Sequence, residues 1–162
     1  MVARRSEKTW KEFVELVAAW EVYVAHLHLA DYPPMRTRAD NYAPALRFYR
    51  ETVAAGIEGP PWPKGMMAGL RQGSREAFPQ IAAVFRSHPD VVRSFRQAGG
   101  QSLEQVLNYP AQVARMIKRG RIRNEDEYYA ARARIDDIEG DDAHRAELLA
   151  IDTLLQRFDR GD

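Results

Sequence analysis

The chain of 162 residues has no cysteine, which excludes disulfides and thiolate metal sites. It also lacks a long uncharged apolar run. The apolar stretch from Trp10 to Leu29 is interrupted by Glu12, Glu15 and Glu21 and is too charged to span a bilayer. The start, MVARRSEKTWKEF, has no apolar core behind Arg4 and Arg5 and does not read as a secretory signal. These absences favour a cytoplasmic protein. No convincing alternating strand, internal repeat or low-complexity tract is visible. A Gly-rich phosphate loop, a Ser-His-Asp arrangement and a zinc motif are missing too. An enzyme would have to assemble its site from dispersed residues.

What is present is helical spacing. Apolar residues are 45% of the chain and charged residues 29%, enough of the former to build a core and argue against disorder. Trp10, Phe13, Val17, Trp20, Val24 and Leu27 step by three and four along one long helix, with Ser6 as its N-cap and Tyr32-Pro33-Pro34 as its stop. A second helix is expected over 41–55, with Pro44 in its first turn and Gly56 past its end. GPPWPKG (59–65) reads as a loop in which Trp62 plugs a gap or anchors a partner. Short helices follow around Met66–Leu70 and Phe78–Phe85, and a further one opens at Ser87-His88-Pro89, carries Val92 and Phe95 and closes at Gly99-Gly100. Another is expected to start at a Ser102/Gln105 capping box, and one after Pro110 to end at Gly120.

The last forty residues carry the clearest pattern. Asn124 and Glu127 form a capping box, and Tyr128, Ala131, Ile135 and Ile138 share a stripe. Gly140 ends that helix, Asp141 or Asp142 starts the next, and Leu148, Ile151, Leu155 and Phe158 repeat the spacing. Two such helices joined by a short turn make an antiparallel αα-hairpin. The expected fold is all-α: one domain over 1–162, an irregular bundle of about seven helices with a long N-terminal helix and this hairpin. The expected core includes Phe13, Trp20, Tyr49, Phe78, Ile135 and Leu155.

Charge is uneven. Residues 1–123 hold 19 Lys/Arg against 11 Asp/Glu, and residues 124–162 hold 5 against 12. This divides the chain into a basic helical part, 1–120, and an acidic hairpin, 121–162. The two parts either neutralise each other by packing or leave one face for a charged partner.

Chemistry-bearing residues are sparse. His26 and His28 are two apart and point to different sides of a helix. His88 fits a turn before Pro89. His144 is three residues from Asp141 and from Glu147, a metal-compatible spacing that lacks a second histidine. No metal or cofactor is expected. The pairs Asp136-Asp137 and Asp141-Asp142, with Glu125-Asp126-Glu127, suit helix starts and polar faces better than acid–base work, which needs an apolar pocket. Arg115, Lys118, Arg119, Arg121 and Arg123 form a basic run, either a helix C-terminus complementing its dipole or a phosphate contact. Gly99-Gly100-Gln101 resembles the tripeptide of peptide-chain release factors, although two glycines before a helix start account for it as well.

The segment IRNEDEYYAARARID (122–136) resembles a piece of bacterial host-inhibition antitoxins through Ile122, Arg123, Glu125, Tyr128, Ala131, Arg134 and Ile135, with Glu147, Leu148, Leu149, Leu155 and Phe158 continuing it. In that family a helix-turn-helix DNA-binding domain follows; here the sequence ends at Asp162. The resemblance therefore implies a helical hairpin used for protein contacts.

The leading expectation is a non-catalytic protein-binding module, such as an antitoxin or immunity-type inhibitor, contacting its partner through Glu125, Asp136, Asp137 and Asp141. One alternative is a nucleic-acid-binding accessory protein using the 115–123 run. Another is a small enzyme with a dispersed site. Exposed stripes would also allow a homodimer.

Overall fold

The computed structural model describes residues 2–27, 33–56 and 66–161, apart from the side chains of residues 2–6, 33 and 82. The expected loop 59–65 with Trp62, and His28, lie outside them. Among the described residues the chain is all-helical, with no strand. The helices are α1 (Val2–His26), α2 (Pro33–Ala55), α3 (Met66–Ala77), α4 (Ile81–Val84), α5 (Pro89–Leu107), α6 (Tyr109–Arg119), α7 (Glu125–Ile138) and α8 (Arg145–Arg160). Single 3-10 turns, Phe78–Gln80 and Asp142–His144, precede α4 and α8. The expected count of seven is approximate, because α4 has four residues and Gly100 interrupts α5. No helix among the described residues is long and apolar enough to cross a membrane.

Two helix starts differ from expectation. α1 begins at Val2, so Ser6 lies inside it and is not its N-cap. α2 begins at Pro33, well before residue 41, because Pro33-Pro34 serve as first-turn residues rather than as breakers. Pro44 therefore sits within the helix. Pro44 and Asp40 are both exposed, so the carbonyl that Pro44 cannot serve is open to water.

The chain forms two compact units: Met1–Lys64 with Ala77–Gln105, and Gly65–Glu76 with Val106–Asp162. In the first, α1 is the spine. Phe13, Leu16, Tyr23 and Leu27 are fully buried along it. Rings meet around them: Trp20 lies 4.7 Å from Tyr42 and 5.0 Å from Phe78, and Phe78 meets Phe95 edge-on at 4.8 Å. Edge-to-face pairs of this kind add to the burial of the rings.

The same unit contains the glycine pair. Gly100 has φ 51° and ψ −146°, a conformation that side chains resist. A Cβ there would stand 2.8 Å from the Glu15 carboxyl carbon, and one on Gly99 would stand 2.5 Å from Leu103 Cβ. Glu15 of α1 comes this close because it caps the helical turn that restarts after Gly100. Its Oε2 accepts the Ser102 hydroxyl at 2.6 Å and the Ser102 N–H at 3.2 Å. The cap at this start is thus supplied by another helix, with Ser102 as donor. The Gly99-Gly100 pair answers to close packing.

In the second unit, α6, α7 and α8 run antiparallel in turn. Tyr109 and Arg119, at opposite ends of α6, reach Asp137 and Glu127, at opposite ends of α7. Tyr128 stacks on Phe158 at 5.3 Å, while Arg134 pairs with Glu147. The expected hairpin is present as α7 and α8. Val113, Met116, Ala130, Ile138, Ile151 and Leu155 lie in the core. Ala130 is fully buried, which lets neighbouring helices approach α7 closely.

Substituting Gly100→Ala should cost about 1–3 kcal/mol through backbone strain and the clash with Glu15. Glu15→Ala should cost about 1–2 kcal/mol through the lost cap. Urea denaturation followed by circular dichroism measures both. The double variant should lose less than the sum, because removing the carboxylate removes the clash.

Candidate functional site

The second unit gathers nearly all the residues singled out in the sequence. Both the basic run and the acidic hairpin belong to it, so the charge split along the chain becomes pairing within one unit. By sequence that unit holds 12 Lys/Arg against 13 Asp/Glu, and the first holds 12 against 10.

The pairing centres on the first turn of α7. Asn124 Oδ1 caps the turn by accepting the Glu127 N–H at 3.0 Å. Glu127 Oε2 accepts the Arg123 N–H at 2.8 Å and Arg119 Nη2 at 2.5 Å. The capping box is therefore present, with its return arm landing one residue before the cap. Asp126 pairs with Arg71 of α3, and its carbonyl accepts Arg75 Nη1 at 3.1 Å. Arg75 is only 5% exposed, so these contacts tie α3 to α7 in a partly dry environment.

A second tie joins the far ends of the hairpin helices. Arg134 donates Nε and Nη2 to the two Glu147 oxygens at 2.8 and 3.0 Å, a bidentate fork. The Arg134 guanidinium holds the Glu147 carboxyl below its ordinary range. Because Glu147 faces Arg134 and His144 Nδ1 meets Asp141 Oδ2 at 2.9 Å, the Asp141, His144 and Glu147 side chains do not converge as a ligand set. Among the described residues no group of three His, Asp or Glu could hold a metal.

The four carboxylates expected to meet a partner divide in two. Glu125 and Asp136 are exposed and hold no hydrogen bond or ion pair with a described residue. Asp137 accepts the Tyr109 hydroxyl. Burial and this carboxylate together push the Tyr109 phenol up. Asp141 caps the turn after Gly140 by accepting the Ala143 N–H at 2.9 Å, and His144 with that N–H holds its carboxyl low. Glu125 is also eleven residues from Asp136, about 16 Å along a helix, so the four do not make one cluster. Asp136 instead joins Asp137, Glu139, Asp141 and Asp142, five exposed carboxylates within seven residues. Of the basic run, Arg115, Lys118, Arg121 and Arg123 are exposed, and Arg119 is occupied by Glu127 and by the Arg121 carbonyl.

Sequence reasoning did not find the cleft beside Asp136. It has a volume of about 500 Å³, with Gln72, Arg75 and Glu76 from α3 and Tyr128, Tyr129, Arg132 and Asp136 from α7. Two signals pointed to it. Adjacent aromatics on a helix diverge by about 100°, so Tyr128 and Tyr129 cannot both face the core. Gln72, Arg75 and Glu76, at spacings of three and four, share one polar face of α3.

Compared with known protein families, characterised proteins and solved structures, the chain gives no match.

Glu147→Gln should lower stability by about 1 kcal/mol at pH 7, a modest value because the pair is partly exposed. Since the folded-state pKa of Glu147 is depressed, its contribution is present above the ordinary carboxylate range and is lost as pH falls through the depressed value. Denaturation curves at several pH values should show the wild type and the variant converging in acid.

Proposed function

We propose that the chain is a non-catalytic protein-binding module of the antitoxin or immunity-inhibitor kind suggested by the 122–158 resemblance, and that its partner presents a basic surface. The observation that carries this reading is the acidic end of the second unit. Asp126, Glu127 and Glu147 are matched by arginines inside the fold. Asp136, Asp137, Glu139, Asp141 and Asp142 are exposed around the α7–α8 turn, and none of them is paired with a Lys or Arg among the described residues. Crowded like charges repel one another, and a cationic partner relieves that repulsion and is steered toward it. From Asp136 the cleft runs back along α7 past Arg132 to Tyr129 and Tyr128 near the first turn, residue types that concentrate binding energy at protein interfaces.

Asp137 and Asp141 hold structural bonds, so the clean test reverses Asp136 and Glu139. Affinity capture with the full chain from the cells that make it, after nuclease treatment, should retain a stoichiometric protein partner. Asp136→Lys with Glu139→Lys should weaken that partner about tenfold or more, equivalent to about 1.4 kcal/mol, with the helical circular-dichroism signal unchanged. Equal capture by the folded variant would overturn the reading.

A further inference from the structure

The opposite end of the second unit carries a surface of the other sign. Arg115 and Lys118 stand on the last turns of α6, and Arg121 and Arg123 on the connection to α7. Because α8 runs antiparallel to α7, with Phe158 against Tyr128, its last turn brings Arg157 and Arg160 to this same end. All six cations are exposed, and none is held by a carboxylate among the described residues. Among the described residues, only Glu125 and Asp159 oppose them as exposed carboxylates at this end, because Asp126 and Glu127 are matched to Arg71 and Arg119.

The backbone beneath the cations is fixed. The Arg121 carbonyl accepts Arg119 Nη2 at 2.8 Å, the Arg123 N–H is held by Glu127 at 2.8 Å, and Ile122 is buried between them. Arg121 and Arg123 are therefore presented on a tied connection rather than on a free one. Gly120 and Gly161 end α6 and α8 in the left-handed conformation, their N–H groups reaching the carbonyls of Met116 and Ile117 and of Arg157 and Phe158, and the cations offset the negative ends of the two helix dipoles.

We infer that this end binds the phosphate backbone of a nucleic acid. Five of the six cations are arginines, whose planar fork matches phosphate oxygens in pairs. They come from three separate stretches of chain, a spread suited to several successive phosphates. The aromatic residues at this end, Phe158 and Tyr128, pack on each other against the core at 5.3 Å rather than standing free to stack a base, so binding is through the backbone and tolerant of sequence.

The test is fluorescence anisotropy with the full chain and a labelled mixed-sequence duplex, titrated between about 50 and 200 mM salt. Four to six phosphate contacts predict a log–log salt slope of about −4 to −5. Arg157→Glu with Arg160→Glu, and separately Arg121→Glu with Arg123→Glu, should each weaken binding and flatten the slope by about 2. Arg93→Glu with Arg96→Glu, exposed on α5, should change neither. Circular dichroism checks each fold, and the corresponding Arg→Gln pairs replace any reversal that unfolds. No binding at the lowest salt would overturn the inference, as would a slope the two pairs leave unchanged. Displacement by polyglutamate as readily as by unlabelled duplex would also overturn it.

Discussion

The second unit depends on the first turn of α7. Three consecutive carboxylates sit there, where the helix dipole favours negative charge, but a dipole effect alone fixes no neighbour. The neighbours are fixed by what Asp126 and Glu127 reach. Asp126 holds Arg71 through its side chain and Arg75 through its carbonyl, which commits α3. Glu127 holds Arg119 and the Arg123 N–H, which commits the end of α6 and the connection after it. One helical turn thereby sets the positions of three other stretches of chain. Removing either carboxylate would take an ion pair from a partly exposed arginine, a loss of about 1 kcal/mol or less, and with it one tie between α7 and that stretch of chain.

That turn also decides what the charge asymmetry means. Along the chain it divides the molecule near residue 120, where a basic part meets an acidic one. In space the dividing line disappears, because α6 packs on α7 and the two signs meet inside a single unit. Asp126, Glu127 and Glu147 pair with arginines there. What remains on the surface is the remainder after this matching, and it is the remainder that is open to partners.

The helices were legible because stripes of Phe, Trp, Ile and Leu at spacings of three and four have one physical solution. Starts were less legible. A proline reads equally as a breaker or as a first-turn residue, and Pro33-Pro34 took the second role. The Glu15 cap could not be read at all, because it joins residues 87 apart. The same limit hid the cleft, since only the docking of α3 onto α7 brings Arg75 beside Tyr128 and Tyr129. Asp137 and Asp141 were legible as exposed acids, but their bonds to Tyr109 and to the Ala143 N–H were not.

The two ends of the second unit can act independently because of their separation. α7 has 14 residues, so the acidic turn and the basic connection stand about 20 Å apart along its axis. That is more than twice the Debye length of about 8 Å at physiological salt, so neither end cancels the field of the other in front of it. The proposed partner at the acidic turn and the inferred phosphate chain at the basic end would not compete for charge. Coupling between them would have to pass through α7, whose first turn holds Arg119 and the Arg121–Arg123 connection, and whose last turn holds Tyr109 through Asp137. Both surfaces are mounted on that one helix, and α6 is clamped to it at both ends. A contact that shifts the α7–α8 turn thus has a rigid element through which to reach the arginines.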